Sequence, residues 1–162
     1  MEEQIPRPPL RARDDNPHPV LVSALPTALA SAGVGAPLLS LAGFPLLSFA
    51  IWQFFSLVCH QDPARSFWIA GMPVAVCARC LGIYLGAAAG AWVEASRKTL
   101  LRALAIVLAA SLLDFAAEMA GVHGNWPLAR FALGAMLGGT MGALVANSLR
   151  REGAGQASLA TD

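Results

Sequence analysis

The chain has 162 residues, 56% of them hydrophobic and only 13% charged, with a net charge of +1 and a mean hydropathy of +0.57. Soluble domains carry about a quarter charged residues, so this composition excludes an ordinary water-soluble globule. The few basic residues form no stripe, which excludes a nucleic-acid-binding surface.

The start, MEEQIPRPPLRARDDNPHP, is acidic and proline-rich and lacks an early apolar core. It therefore reads as a disordered cytoplasmic tail over residues 1–18 rather than a cleavable signal peptide. A membrane domain follows over residues 19–150. No charge occurs between Val20 and Val58, and the breakers from Gly33 to Pro37 divide this run. Residues 20–34 contain Pro26 and are short for a crossing, so they suit an interfacial or re-entrant helix, with crossing left open. Residues 37–58 make a full span, with Trp52, Phe54 and Phe55 as an aromatic belt.

Further spans are expected over 74–93, 101–120 and 127–149, the last with Pro127 in its first turn, where a missing N–H costs nothing. The polar stretch 151–162 reads as a second disordered tail. The expected fold is all-α: a helical membrane bundle of four spans plus the short N-terminal segment. Four spans put Arg7, Arg11, Arg13, Arg97, Lys98, Arg102, Arg150 and Arg151 on one side. The other side receives Arg65, with Arg79 and Arg130 at or just inside the membrane. This bias makes both termini cytoplasmic, whereas a fifth span would place the N-terminal arginines outside.

Two spans carry glycines in steps of four: Gly82, Gly86 and Gly90, then Gly134, Gly138 and Gly142. Each set lies on one helical face and permits close backbone approach in lipid. The simplest partner for one set is the other, within one chain; a homo-oligomer through either face is the alternative. Depth counting brings Arg79, Asp114, Glu118 and Arg130 to a similar level near the outer surface. Charges in lipid normally pair or face a polar cavity. These four are therefore either a structural ion-pair network or a site for an ion, a proton or a lipid head group.

All three cysteines and one histidine fall in the same region. Cys77-x-x-Cys80 spacing lets two thiolates converge, and Cys59 with His60 completes a Cys3His set suited to tetrahedral zinc or another transition metal. The alternatives are thiol–disulfide chemistry at Cys77 and Cys80, since the expected outer compartment is oxidising, and simple burial of three small side chains. Gln61, Arg65 and Ser66 extend the polar loop. The two flanking arginines would lower thiol pKa values. No nucleotide-binding loop, serine elbow or H-E-x-x-H motif is present, which disfavours ordinary kinase or hydrolase chemistry.

CHQDPARSF, CARCLGIYLG, LLDFAAE and NWPLARFALGAMLGG together resemble the domain of unknown function 2085 family, small membrane proteins of bacteria and archaea. The resemblance covers about Phe55 to Ala146. Its motif positions match Cys59, His60, Gln61, Arg65, Ser66, Cys77, Arg79, Cys80, Gly82, Tyr84, Gly86, Asp114 and Arg130. After the aspartate the family tends to a glycine and then a glutamine, where this chain has Phe115 and Glu118. The resemblance implies a cell (inner) membrane protein whose partner is the lipid bilayer, and it carries no activity or substrate to transfer.

Overall fold

The computed structural model describes residues 18–122, 124 and 126–159, with backbone only for His18 and for residues 153–159. The tail expected over residues 1–18 therefore lies, His18 apart, outside the described residues. Five helices run in chain order among the described residues: α1 (His18–Leu41), α2 (Pro45–Ser56), α3 (Ala78–Gly90), α4 (Arg97–Met119) and α5 (Pro127–Leu159). Three of them, α1, α4 and α5, are long and apolar enough to cross a membrane.

The N-terminal half departs from the expected division. α1 is one helix of 24 residues that passes through both Pro26 and Pro37, so the Gly33–Pro37 breakers do not end it. Pro37 has no N–H to offer the carbonyl of Gly33, four residues back. That carbonyl instead accepts the N–H of Ala75, at 3.0 Å. Gly33 also lacks the side chain that would obstruct this approach; a Cβ there would lie 3.0 Å from Cγ2 of Val76. The long-range bond thus offsets the loss of a helical one.

The span expected over 37–58 is instead divided between α1 and α2. Gly43, at φ +87°, occupies the left-handed position that closes α1. The N–H of Phe44 reaches back to Leu39 O at 2.9 Å and that of Gly43 to Ser40 O at 3.2 Å, the paired bonds of a Schellman cap. Pro45 then begins α2. Within this helical hairpin, Ser48 Oγ donates to Ala36 O at 2.7 Å.

After α2 the chain forms a 3₁₀ turn at Pro63–Arg65 and a two-stranded hairpin, β1 (Trp68–Ile69) against β2 (Met72–Pro73). Ala70 and Gly71, at φ +50° and +80°, supply its tight turn. Val74, Ala75 and Val76 continue as a buried, non-helical segment that brings the chain to α3. Because these residues are non-helical and the helix ends at Gly90, α3 has 13 residues rather than the 20 expected over 74–93. At the other end of the chain, α5 continues through residues 151–159, part of the stretch expected as a tail.

α3 and α5 form the tightest contact in the molecule, side by side and parallel. A Cβ on Gly86 would lie 2.7 Å from the carbonyl carbon of Ala135, and one on Gly90 equally close to that of Gly139. Reciprocally, a Cβ on Gly138 would lie 2.8 Å from the Ile83 carbonyl carbon. These helices touch backbone to backbone, as small residues permit in lipid. α4 packs on α5, and α1 packs on α2, α3 and α5. A core of Ala30, Ala36, Phe55, Cys59, Ala75, Val76 and Leu81 forms where the α1–α2 hairpin meets the entry to α3. Elsewhere large apolar side chains face outward: Leu46 is 83% exposed and Leu113 is 70% exposed. Such a surface suits hydrocarbon or a protein partner rather than water.

Candidate metal centre

The core just described positions three thiols. Cys59 follows α2 and is buried; Cys77 is the N-cap residue of α3; Cys80 lies in the first turn of α3. Their sulfur atoms all lie within 4.8 Å of one another, and the three cysteines are free. Sulfur ligands at about 2.3 Å from a tetrahedral ion stand about 3.8 Å apart, so side-chain adjustments within about 1 Å would close the set.

Hydrogen-bond donors are aimed at one of these sulfurs. Cys59 Sγ accepts backbone N–H groups from Gln61 at 3.5 Å and Cys77 at 3.3 Å. The thiols of Cys77 and Cys80 also donate to it. The N-terminus of α3, where Cys77 and Cys80 lie, adds the positive end of a helix dipole.

Gln61 is the residue whose role sequence reasoning missed. Its backbone has φ +50°, and its amide nitrogen donates to Trp52 O at 2.8 Å and Ala75 O at 2.9 Å. It therefore clamps the segment carrying Cys59 to the segment carrying Cys77. In sequence, the pairing of a loop glutamine with two remote carbonyls leaves no signal. Nearby, Ser66 is buried and its Oγ donates to Asp62 O at 2.9 Å. Tyr84 packs against Phe55, with ring centroids 6.2 Å apart.

His60, expected as the fourth ligand, is exposed and stands outside the three-sulfur group. The chain at Cys59–His60 is non-helical, so consecutive side chains point apart, and burial of one turns the other outward.

A layer of ion pairs adjoins the thiols. Arg79 Nη2 meets Asp114 Oδ2 at 2.5 Å. Glu118 bridges two arginines, pairing with the buried Arg130 and with Arg65 Nη2 at 3.1 Å; Arg65 Nε also meets Asp62 Oδ2 at 3.2 Å. A buried guanidinium such as Arg130 needs such a partner, because an uncompensated charge in a low-dielectric site is strongly destabilising. Thiols and ion pairs line one cavity of about 410 Å³, with Cys59, Cys77 and Cys80 facing Arg65, Arg79, Arg130 and Glu118, and with His60 also on its wall.

This combination of thiols and paired charges lies within a region shared with other proteins. A family described as "Predicted membrane protein (DUF2085)" matches residues 59–144, more than half of the chain. The chain belongs to the DUF2085 family. The DUF2085 region begins at Cys59 and holds every thiol and every Arg–carboxylate partner of the cavity, while α1 and α2 lie before it. An uncharacterised protein of Methanocaldococcus jannaschii is 52% identical over 44 residues, 27% of this chain and 28% of that protein. One from Methanothermobacter thermautotrophicus is 52% identical over 33 residues, 20% of this chain and 30% of the relative. The chain thus spans under a third of either relative's length. No solved structure matches.

Proposed function

We propose that this protein is a membrane metal-binding protein that holds one soft transition-metal ion, zinc foremost, on Cys59, Cys77 and Cys80. The observation that carries this reading is the mutual approach of three sulfurs to within 4.8 Å from segments 18 residues apart in sequence. Backbone N–H groups aimed at Cys59 and the helix end beneath Cys77 support it, since metal affinity requires deprotonated thiols.

Helix lengths support an arrangement in the bilayer. α2 and α3, of 12 and 13 residues, are about 18 and 20 Å long. Each is short of the roughly 30 Å hydrocarbon core, but in series they suffice. We read α1, the broken pair α2–α3, α4 and α5 as four crossings, which places both termini on the cytoplasmic side, where the basic residues concentrate. The thiols then lie at the break, in the outer half of the membrane. Irregular backbone at such depth is tolerated where it is buried in protein or lines a cavity, and residues 74–76 are buried.

Elemental analysis of detergent-purified protein tests the proposal. About one equivalent of zinc or another soft metal is expected, with loss of most of it in Cys59→Ser. Metal-free protein whose Cys77 and Cys80 cycle between thiols and a disulfide in cells, as judged by maleimide trapping, would overturn it in favour of redox chemistry.

A further inference from the structure

A second concavity lies away from the thiols, where α3 and α4 both pack on α5. It is a groove of about 480 Å³, lined by Leu85 and Gly90 of α3, Leu100 and Val107 of α4, and Met136 and Thr140 of α5, among others. Thr140 is its one polar side chain, and that hydroxyl is engaged by Met136 O at 3.0 Å and Leu137 O at 2.8 Å within its own helix. The groove therefore suits a hydrocarbon guest. From Leu100 to Val107 it extends about 10 Å along α4, most of the roughly 15 Å depth of one leaflet's hydrocarbon.

The groove ends on charge. Leu100 also lines a small niche with Leu144, Arg97, Asn147, Ser148 and Arg151, and no carboxylate lines either cavity. At about 20 Å³ the niche has room for one oxygen-sized group. Arg97 and Arg151 are exposed and make no ion pair among the described residues. Around them, Arg97, Lys98, Arg102, Arg150 and Arg151 face only Glu94 and Glu152 among the described residues, and Glu94 is already paired with Arg150 at 3.2 Å. Basic pockets between membrane helices attract anionic head groups. A second copy of the chain, seated on this face in the same orientation, would instead bring like charges to one level.

We infer that the groove binds one anionic phospholipid, with an acyl chain between α3 and α4 and a phosphate oxygen at the niche of Arg97 and Arg151. The thiols lie at the opposite end of α3, so the inference does not rest on the metal reading.

Native mass spectrometry of the delipidated full-length protein in a neutral detergent tests it, by titration with dioleoylphosphatidylglycerol or dioleoylphosphatidylcholine. One phosphatidylglycerol should bind saturably, at about 30-fold lower concentration than phosphatidylcholine, as two arginines near a lipid phosphate would give. Arg97→Gln/Arg151→Gln should abolish that preference. Lys98→Gln/Arg102→Gln removes the same charge from the same end, outside the niche, and should keep most of it. All four side chains are exposed, so neither variant disturbs packing. Ala103→Phe, which fills the groove from α4, should weaken both lipids alike. Equal affinity for the two lipids, or equal losses in the two double variants, would overturn the inference. So would full competition by water-soluble glycerophosphoglycerol, which would mean a head-group site alone, or a dimer that Ala103→Phe disrupts, which would give this face to a second copy.

Discussion

Replacing Gly86 by alanine probes how the contact between α3 and α5 sets the position of the thiols. The new Cβ would lie 2.7 Å from the Ala135 carbonyl carbon and 2.8 Å from its Cα. The Ala135 carbonyl oxygen lies closer still. Unstrained carbon–carbon contacts begin near 3.4–3.5 Å, so the two helices must separate by at least about 0.7 Å at this level. The obstruction is backbone, which cannot turn aside as a flexible side chain would. Overpacking of this kind costs about 1–3 kcal/mol, a roughly 5- to 150-fold fall in the ratio of folded to unfolded protein. Thermal or denaturant unfolding in detergent, followed by tryptophan fluorescence, would report it. Gly35→Ala is the control, because a Cβ there meets nothing within 4 Å and alanine favours a helix. Equal stability of Gly86→Ala and Gly35→Ala would refute the reasoning. Because α3 carries Cys77, Arg79 and Cys80, the destabilised variant should also bind zinc more weakly.

Gln61→Leu should lower stability by about 1–3 kcal/mol in the same unfolding assay, since the Trp52 and Ala75 carbonyls lose their donor. It should also weaken zinc binding, read by competition with a chromogenic chelator. Glu118→Ala should lower stability by stranding the buried Arg130. The double variant Glu118→Ala/Arg130→Met should recover much of that loss, whereas additive losses would contradict the pairing. Zinc at a hundredfold excess over its Kd should stabilise the wild type by about 2.7 kcal/mol, and it should leave Cys59→Ser/Cys77→Ser/Cys80→Ser unchanged.

The class of the molecule was legible because it depends on local composition: long uncharged runs can only be membrane helices at this hydropathy. The small-residue stripes were equally plain, since a period of four on a helix requires no knowledge of the partner. The corner at Gly43–Phe44–Pro45 also had a signal, a glycine followed by a proline at the end of an apolar stretch. The uncharged run around it suggested a single span and outweighed that local cue. Pro37 misled for another reason. Its cost to α1 is offset by Ala75, 38 positions further on, and a bond at that separation is invisible to a local rule. The clamp made by Gln61 and the outward turn of His60 are likewise consequences of how two remote segments meet. The cysteine spacing indicated which atoms to bring together; the segment Val74–Val76, docked on α1, is what brings them.

X-ray absorption at the zinc edge of the metal-loaded protein tests the central claim most directly. Three sulfurs at about 2.3 Å with one lighter or exogenous ligand are expected, and the sulfur shell should fall to two in Cys59→Ser. A shell of nitrogen and oxygen alone, or a sulfur count unmoved by that substitution, would contradict the account.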